Sequence, residues 1–91
     1  MSQADVRIYL SRSCLYCIRA KQLLDRKGVN YTVISVDGDP AAWDMMESLS
    51  GRSTVPQIFI DQRPVGGYSD IAALDRQGVL DAMLLIRTDE V

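Results

Sequence analysis

A chain of 91 residues suffices for one compact core, since two halves of this length could not each bury enough surface to fold, so residues 1–91 are expected to form one domain without a linker. Hydrophobic residues make up 47% and charged residues 24%, a balance that excludes intrinsic disorder. A net charge of -2 offers no field for nucleic acid, and no apolar run is long enough to span a bilayer or to serve as a signal segment. A cytoplasmic protein with neither a nucleic acid nor a membrane partner is expected.

Asp5 to Leu10 alternates Val6, Ile8 and Leu10 with Arg7 and Tyr9, the period of a first strand with one face against a core. Leu15 to Lys27 favours helix, with an apolar stripe of Ile18, Ala20, Leu23 and Leu24 and with Gly28 as its stop. Tyr31 to Val36 is rich in β-branched residues and ends in the turn Asp37-Gly38-Asp39-Pro40, which opens a second helix over Ala41 to Leu49, ended by Ser50-Gly51. Pro56 to Ile60 reads as a buried third strand and Asp61-Gln62-Arg63 as a tight reversal. Pro64 to Gly67 then fits only an edge strand, because proline cannot donate to a central ladder.

Ser69 or Asp70 is expected to cap a further helix. Ile71 to Asp75 and Val79 to Ile86 form two helical segments around Gly78, and Thr88 to Val91 are expected to fray. This order predicts an α/β fold: a thioredoxin-like four-stranded mixed sheet flanked by helices on both faces.

Cys14 and Cys17 are the only cysteines, and histidine is absent. With two residues between them, a structural bridge would close almost no loop, and a zinc site of about four ligands could not be completed within one chain, so no metal ligands are assigned. Redox chemistry is the favoured reading, beside the plainer one of two small buried hydrophobes on a helix. At a helix entrance, unpaired backbone N–H groups and the helix dipole stabilise a sulfur anion, and Arg12 and Arg19 are close in sequence. Cys14 is therefore assigned as the attacking thiol. Cys17, one turn behind and more sheltered, is the resolving thiol.

Cys14-Leu15-Tyr16-Cys17, Thr54-Val55-Pro56, Gly66-Gly67 and Asp70, in this order and spacing, resemble the glutaredoxin family over essentially the whole chain. The resemblance implies a glutathione-dependent oxidoreductase that reduces protein disulfides and glutathione mixed disulfides through Cys14, with Cys17 resolving. It implies glutathione as reducing co-substrate, no permanently bound cofactor, disulfide-containing or glutathionylated proteins as partners, and a monomer. The glutathione contacts it implies are Arg12, Tyr16, Thr54, Val55, Pro56, Gly67, Tyr68, Ser69 and Asp70. Among these, Val55-Pro56 would be a cis peptide facing the cysteines, Tyr16 a wall of the groove, and Asp70 the partner of an ammonium beside a helix N-terminus that takes a γ-glutamyl carboxylate.

Three positions depart from the family pattern. Leu15 replaces a frequent proline, and relatives lacking that proline sometimes hold a bridging 2Fe-2S cluster as glutathione-ligated dimers, which gives a cluster carrier as an alternative function. Ser11 and Trp43 replace cations that attract the glycine carboxylate of glutathione, with Arg12 or Arg52 as substitutes. Weaker glutathione binding would favour a third reading, an electron donor reduced by thioredoxin reductase.

Overall fold

The computed structural model describes residues 3–84. Four strands, β1 (Val6–Leu10), β2 (Thr32–Ser35), β3 (Gln57–Ile60) and β4 (Arg63–Gly66), form one sheet in the order β2-β1-β3-β4. β1 runs parallel to β2 and antiparallel to β3, and β4 is antiparallel to β3. The helices are α1 (Leu15–Lys27), α2 (Pro40–Ser50), α3 (Tyr68–Arg76) and α4 (Leu80–Leu84). The mixed sheet read from the sequence is present, with Pro64 on the edge strand. The expected end of the last helix at Ile86 and the segment Thr88 to Val91 lie outside the described residues.

Alternation along the strands sends successive side chains to opposite faces, and here both faces are covered. Val6, Ile8, Leu10, Ile58 and Ile60 pack on one side with Ala20, Leu23 and Leu24 of α1, Ile71 of α3 and Leu80 and Leu84 of α4. Tyr9 and Phe59 point the other way and pack with Val36 and with Met46 of α2. Their rings meet edge to face at 5.6 Å. The expectation of one covered face for β1 thus falls short at Tyr9, which α2 covers.

Gly28 and Gly51 end α1 and α2 in the left-handed conformation, as their positions in the sequence suggest. Two details differ. Ile18 is 46% exposed and lies outside the core, because at 100° per residue it falls away from Ala20, Leu23 and Leu24, whereas Cys17 falls among them. The cap of α3 is Gly67 rather than Ser69 or Asp70, which occupy its first turn. Asp61 and Gln62 alone make the β3–β4 reversal, both at positive φ, and Arg63 already belongs to β4.

The register decides where chemistry can gather. Tyr9 pairs with Gln57, Leu10 with Ser35, and Ile58 with Gly66. The ends of β1, β2 and β4 and the start of β3 therefore lie at one edge of the sheet. Ser11–Cys14, Asp37, Thr54–Pro56 and Gly67–Asp70 are all delivered there.

Candidate active site

Cys14 is the N-cap of α1, with extended backbone angles, and its carbonyl accepts the first helical bond from the Ile18 N–H at 3.2 Å. The cap position is normally filled by an oxygen side chain. Here the Sγ accepts the Cys17 N–H at 3.3 Å. The thiol itself donates to the Val55 carbonyl at 3.7 Å, so the sulfur lies between the start of α1 and the loop before β3.

Both cysteines are free thiols, Cys14 half-buried and Cys17 buried. Burial pushes the Cys17 thiol up to about 12, and the neighbouring Cys14 and Asp37 act in the same direction. A group so placed stays protonated at neutral pH, whereas a thiolate is the nucleophile in disulfide exchange. Cys14, half-buried, is the more exposed thiol of the two.

The segment ahead of Cys14 is fastened by Asp37. Its carboxylate accepts the Ser11 hydroxyl at 2.7 Å and the Arg12 backbone N–H at 3.0 Å. The Arg12 N–H, and secondarily the Ser11 hydroxyl, hold the Asp37 carboxyl below its usual range. The Arg12 guanidinium points away, 92% exposed and 4.0 Å from Asp37.

A groove of about 360 Å³ opens beside the cysteines, walled by Tyr16 and Tyr68 and lined by Arg52, Thr54, Val55, Pro56, Gln57, Gly67, Ser69 and Asp70. The Tyr16 and Tyr68 rings stack at 6.2 Å and 22°, and the Arg19 guanidinium lies 5.8 Å from the Tyr16 ring. The Val55-Pro56 peptide is cis. Of the residues implied by the resemblance, the fold brings Tyr16, Thr54, Val55, Pro56, Gly67, Tyr68, Ser69 and Asp70 into this groove. Arg12 is left outside it. Trp43 packs against the cluster of Tyr9, Val36, Met46 and Phe59 on the opposite face of the sheet, the plain packing role of an aromatic side chain.

Two residues absent from the sequence-based site line the groove or support it. Gln57 is the buried polar residue of β3, and its amide donates to the Thr54 carbonyl at 3.1 Å and hydroxyl at 3.2 Å, fixing the loop that carries Val55. A lone polar residue at the start of an otherwise apolar strand was the available signal. Arg52, weighed in the sequence only as a substitute cation, donates to Asp70 at 2.9 Å.

Asp70 also receives the Gly67 N–H at 2.9 Å. These two bonds, the Gly67 one foremost, hold its carboxyl below the usual range. Gly66 makes this arrangement possible. It has φ +108°, and a Cβ there would lie 2.3 Å from Asp70 Oδ2.

Of the two thiols, Cys14 is half-buried and Cys17 buried. A cluster of the 2Fe-2S type takes four ligands, so one bridging two copies of this chain would need Cys14 from each and two thiols from outside.

A sequence model of the glutaredoxin family matches residues 6–65. Glutaredoxin 3 of Escherichia coli is 49% identical over 81 residues, spanning 89% of this chain and 98% of its own length. The solution structure of glutaredoxin from Brucella melitensis superposes with a TM-score of 0.81 at 45% identity, covering 92% of this chain and 91% of that one. A crystal structure of a buckwheat glutaredoxin-glutathione complex superposes with a TM-score of 0.83 at 29% identity, covering 90% and 77%.

Proposed function

The chain belongs to the glutaredoxin family of glutathione-linked thiol-disulfide oxidoreductases, and from that premise we propose that Cys14 is its nucleophile and Cys17 its resolving thiol. The Cys14 thiolate attacks one sulfur of a mixed disulfide between glutathione and a protein. The protein thiolate leaves and takes up a proton, and Cys14 is joined to glutathione. A second glutathione thiolate then attacks the glutathione sulfur, releases Cys14 as thiolate and departs as glutathione disulfide. One glutathione is oxidised for each glutathionylated protein thiol restored, and the glutathione disulfide formed joins it to the glutathione first carried by the protein.

With a protein disulfide, Cys14 first becomes joined to the protein. Cys17 loses its proton as it attacks the Cys14 sulfur, the protein thiol is released, and the Cys14–Cys17 disulfide remains for two glutathione molecules to reduce. The observation that carries this division of labour is the contrast between the two sulfurs: one at the lip of the groove with an N–H donor, the other buried and held protonated.

Glutathione would lie along the groove with its cysteine residue paired to the Val55 backbone, between Thr54 and the Pro56 bend, against Tyr16 and Tyr68. The γ-glutamyl carboxylate would meet the free N–H groups at the start of α3, contributed by Tyr68, Ser69 and Asp70 behind the Gly67 cap, and its ammonium would meet the Asp70 carboxylate. The buckwheat relative crystallised with glutathione supports this reading. A monomer in the cytoplasm, whose reducing pool suits such chemistry, is the matching setting.

The test is glutathione-driven reduction of a small mixed disulfide. Cys14→Ser is expected to fall to the uncatalysed background, while Cys17→Ser keeps this activity and loses reduction of protein disulfides. Retained turnover in Cys14→Ser would remove the assignment. Faster reduction of the oxidised protein by NADPH and thioredoxin reductase than by glutathione would favour the donor role.

A further inference from the structure

The carboxylate of Asp37 spends both oxygens on one short turn. Oδ1 accepts the Ser11 hydroxyl at 2.7 Å and Oδ2 the Arg12 backbone N–H at 3.0 Å. Asp37 is itself held from behind. Its own N–H donates to Ser35 Oγ at 3.2 Å, and the Val36 N–H donates to the Leu10 carbonyl at 2.9 Å, which carries the β1–β2 pairing up to the residue ahead of Ser11. A side chain rooted at the end of β2 thus grips the chain as it leaves β1. The Arg12 guanidinium, exposed to solvent at 4.0 Å, offsets little of the Asp37 charge.

Ser11 carries that grip to both sulfurs. Its carbonyl accepts the Cys14 N–H at 3.3 Å and closes the turn that ends at the N-cap of α1. Its backbone also bears on the Cys17 thiol: burial pushes that thiol up to about 12, and the Ser11 backbone works in the other direction. One residue therefore meets both members of the pair through its backbone, while its side chain is tied to Asp37. We propose that Asp37 is a positioning residue for the resolving step, acting through Ser11 to hold the Cys17 sulfur within reach of the Cys14 sulfur. The inference rests on the reading of Cys17 as the resolving thiol and adds to it a residue that lies outside the groove.

In the resolving step the Cys17 thiol gives up its proton as its sulfur attacks Cys14 Sγ, the bond from Cys14 to glutathione breaks, and glutathione leaves as the thiolate. An attack within one chain owes its speed to the placement of the two groups, and a misplacement of about 1 Å costs up to about a hundredfold. The first attack, by Cys14 on an incoming disulfide, does not need that placement. Its sulfur keeps the Cys17 N–H and the Val55 carbonyl, neither of which Asp37 holds. The charge of Asp37 works against its position, since burial foremost and the nearby carboxylate with it oppose ionisation of Cys17. Loss of position slows the resolving step and loss of charge speeds it, so the two contributions are separable.

The experiment mixes the reduced full chain with glutathione disulfide and follows two rates by rapid acid quenching and mass spectrometry. The first is formation of the glutathione adduct of Cys14, which releases one glutathione. The second is conversion of that adduct to the Cys14–Cys17 disulfide, which releases the other. Asp37→Ala and Ser11→Ala are each expected to slow the second rate about tenfold and to leave the first near that of wild type. Ser11→Ala removes a single hydroxyl, so it carries the test should Asp37→Ala fail to fold. Asp37→Asn keeps an acceptor for that hydroxyl while losing the charge, and its second rate is expected to match or exceed that of wild type. The two alanine substitutions combined should be no slower than Asp37→Ala alone, because both remove the same bond. An unchanged or faster second rate in both alanine variants overturns the positioning role and leaves Cys17 as the resolving thiol. A wild-type adduct that persists as long as that of Cys17→Ser overturns the resolving reading and the positioning role together.

Discussion

The Cys17 backbone N–H donates to Cys14 Sγ at 3.3 Å, while the Cys17 side chain itself lies 1% exposed beneath it. One residue thus meets Cys14 twice: its amide bonds the first sulfur, and its own thiol lies buried behind it. Folding α1 produces both effects at once, since the amide that bonds an N-cap and the side chain one turn on belong to the same position.

That relationship predicts selective alkylation. With Cys17 pushed up to about 12 by burial, iodoacetamide at neutral pH should modify the reduced folded protein once, at Cys14, and a second adduct should appear only after denaturation. Mass spectrometry of peptides from the native reaction reads this directly. Equal labelling of both residues in the folded state would contradict the burial argument.

Gln57 should matter more than its place in a strand suggests. Gln57→Leu fits an apolar strand by size but removes both bonds to the exposed Thr54, each worth about 0.5–1.5 kcal/mol. The larger consequence is expected in function, because the loop thereby loosened carries the Val55 carbonyl that faces Cys14. Urea denaturation should show the stability loss, and KM for a glutathione mixed disulfide should rise. A variant with lowered stability and unchanged KM would confine Gln57 to a structural part.

Gly66→Ala should damage the groove from behind. A methyl group at φ +108° carries backbone strain of about 1–3 kcal/mol, and it would collide with the carboxylate of Asp70. Gly67→Ala makes the control, since its Cβ would meet only the Pro56 carbonyl, at 3.2 Å. The expected result is a greater loss of stability and a greater rise in KM for the Gly66 variant than for the Gly67 variant. The reverse order would mean that Asp70 can move aside without consequence.

Much of this architecture was legible in the sequence because local signals agreed with the tertiary fold. Gly28 and Gly51 mark helix ends wherever the chain must turn left-handed, and Pro64 on β4 obeys the hydrogen-bonding limit of an edge strand. The pairing of Arg52 with Asp70 left no such mark. The two are 18 residues apart and meet only because α2 and α3 both approach one edge of the sheet. Asp37 read as an ordinary turn residue for the same reason: its partners Ser11 and Arg12 are brought to it by the β1–β2 register, which no single segment encodes. The misplacement of Ile18 has a different origin. Its apolarity fits a helical stripe, and the seat in the core that such a stripe implies is filled by Cys17.

Alkaline pH should weaken the fold through three groups that act in one direction. Burial foremost, then the bond to Asp25, raises Tyr31 to about 12, and burial raises Cys17 to about the same value. Lys27 is raised by its bonds to Asp75 at 2.5 Å and then to Asp81 at 2.8 Å, which tie α1 to α3 and α4. Each folded group holds its proton more tightly than in the unfolded chain. The unfolded chain therefore binds fewer protons in the window between the two values, and stability falls as pH rises there. The contribution of Cys17 is complete below about 9, that of Tyr31 below about 10, and both are lost on the way to 12. Melting temperature should accordingly decline between pH 9 and 12, with Cys17→Ala flattening the early part of the decline and Tyr31→Phe the later part. A profile equally steep in both variants would place the alkaline sensitivity in other groups, with Lys27 and its two carboxylates the first to be tested by Lys27→Met.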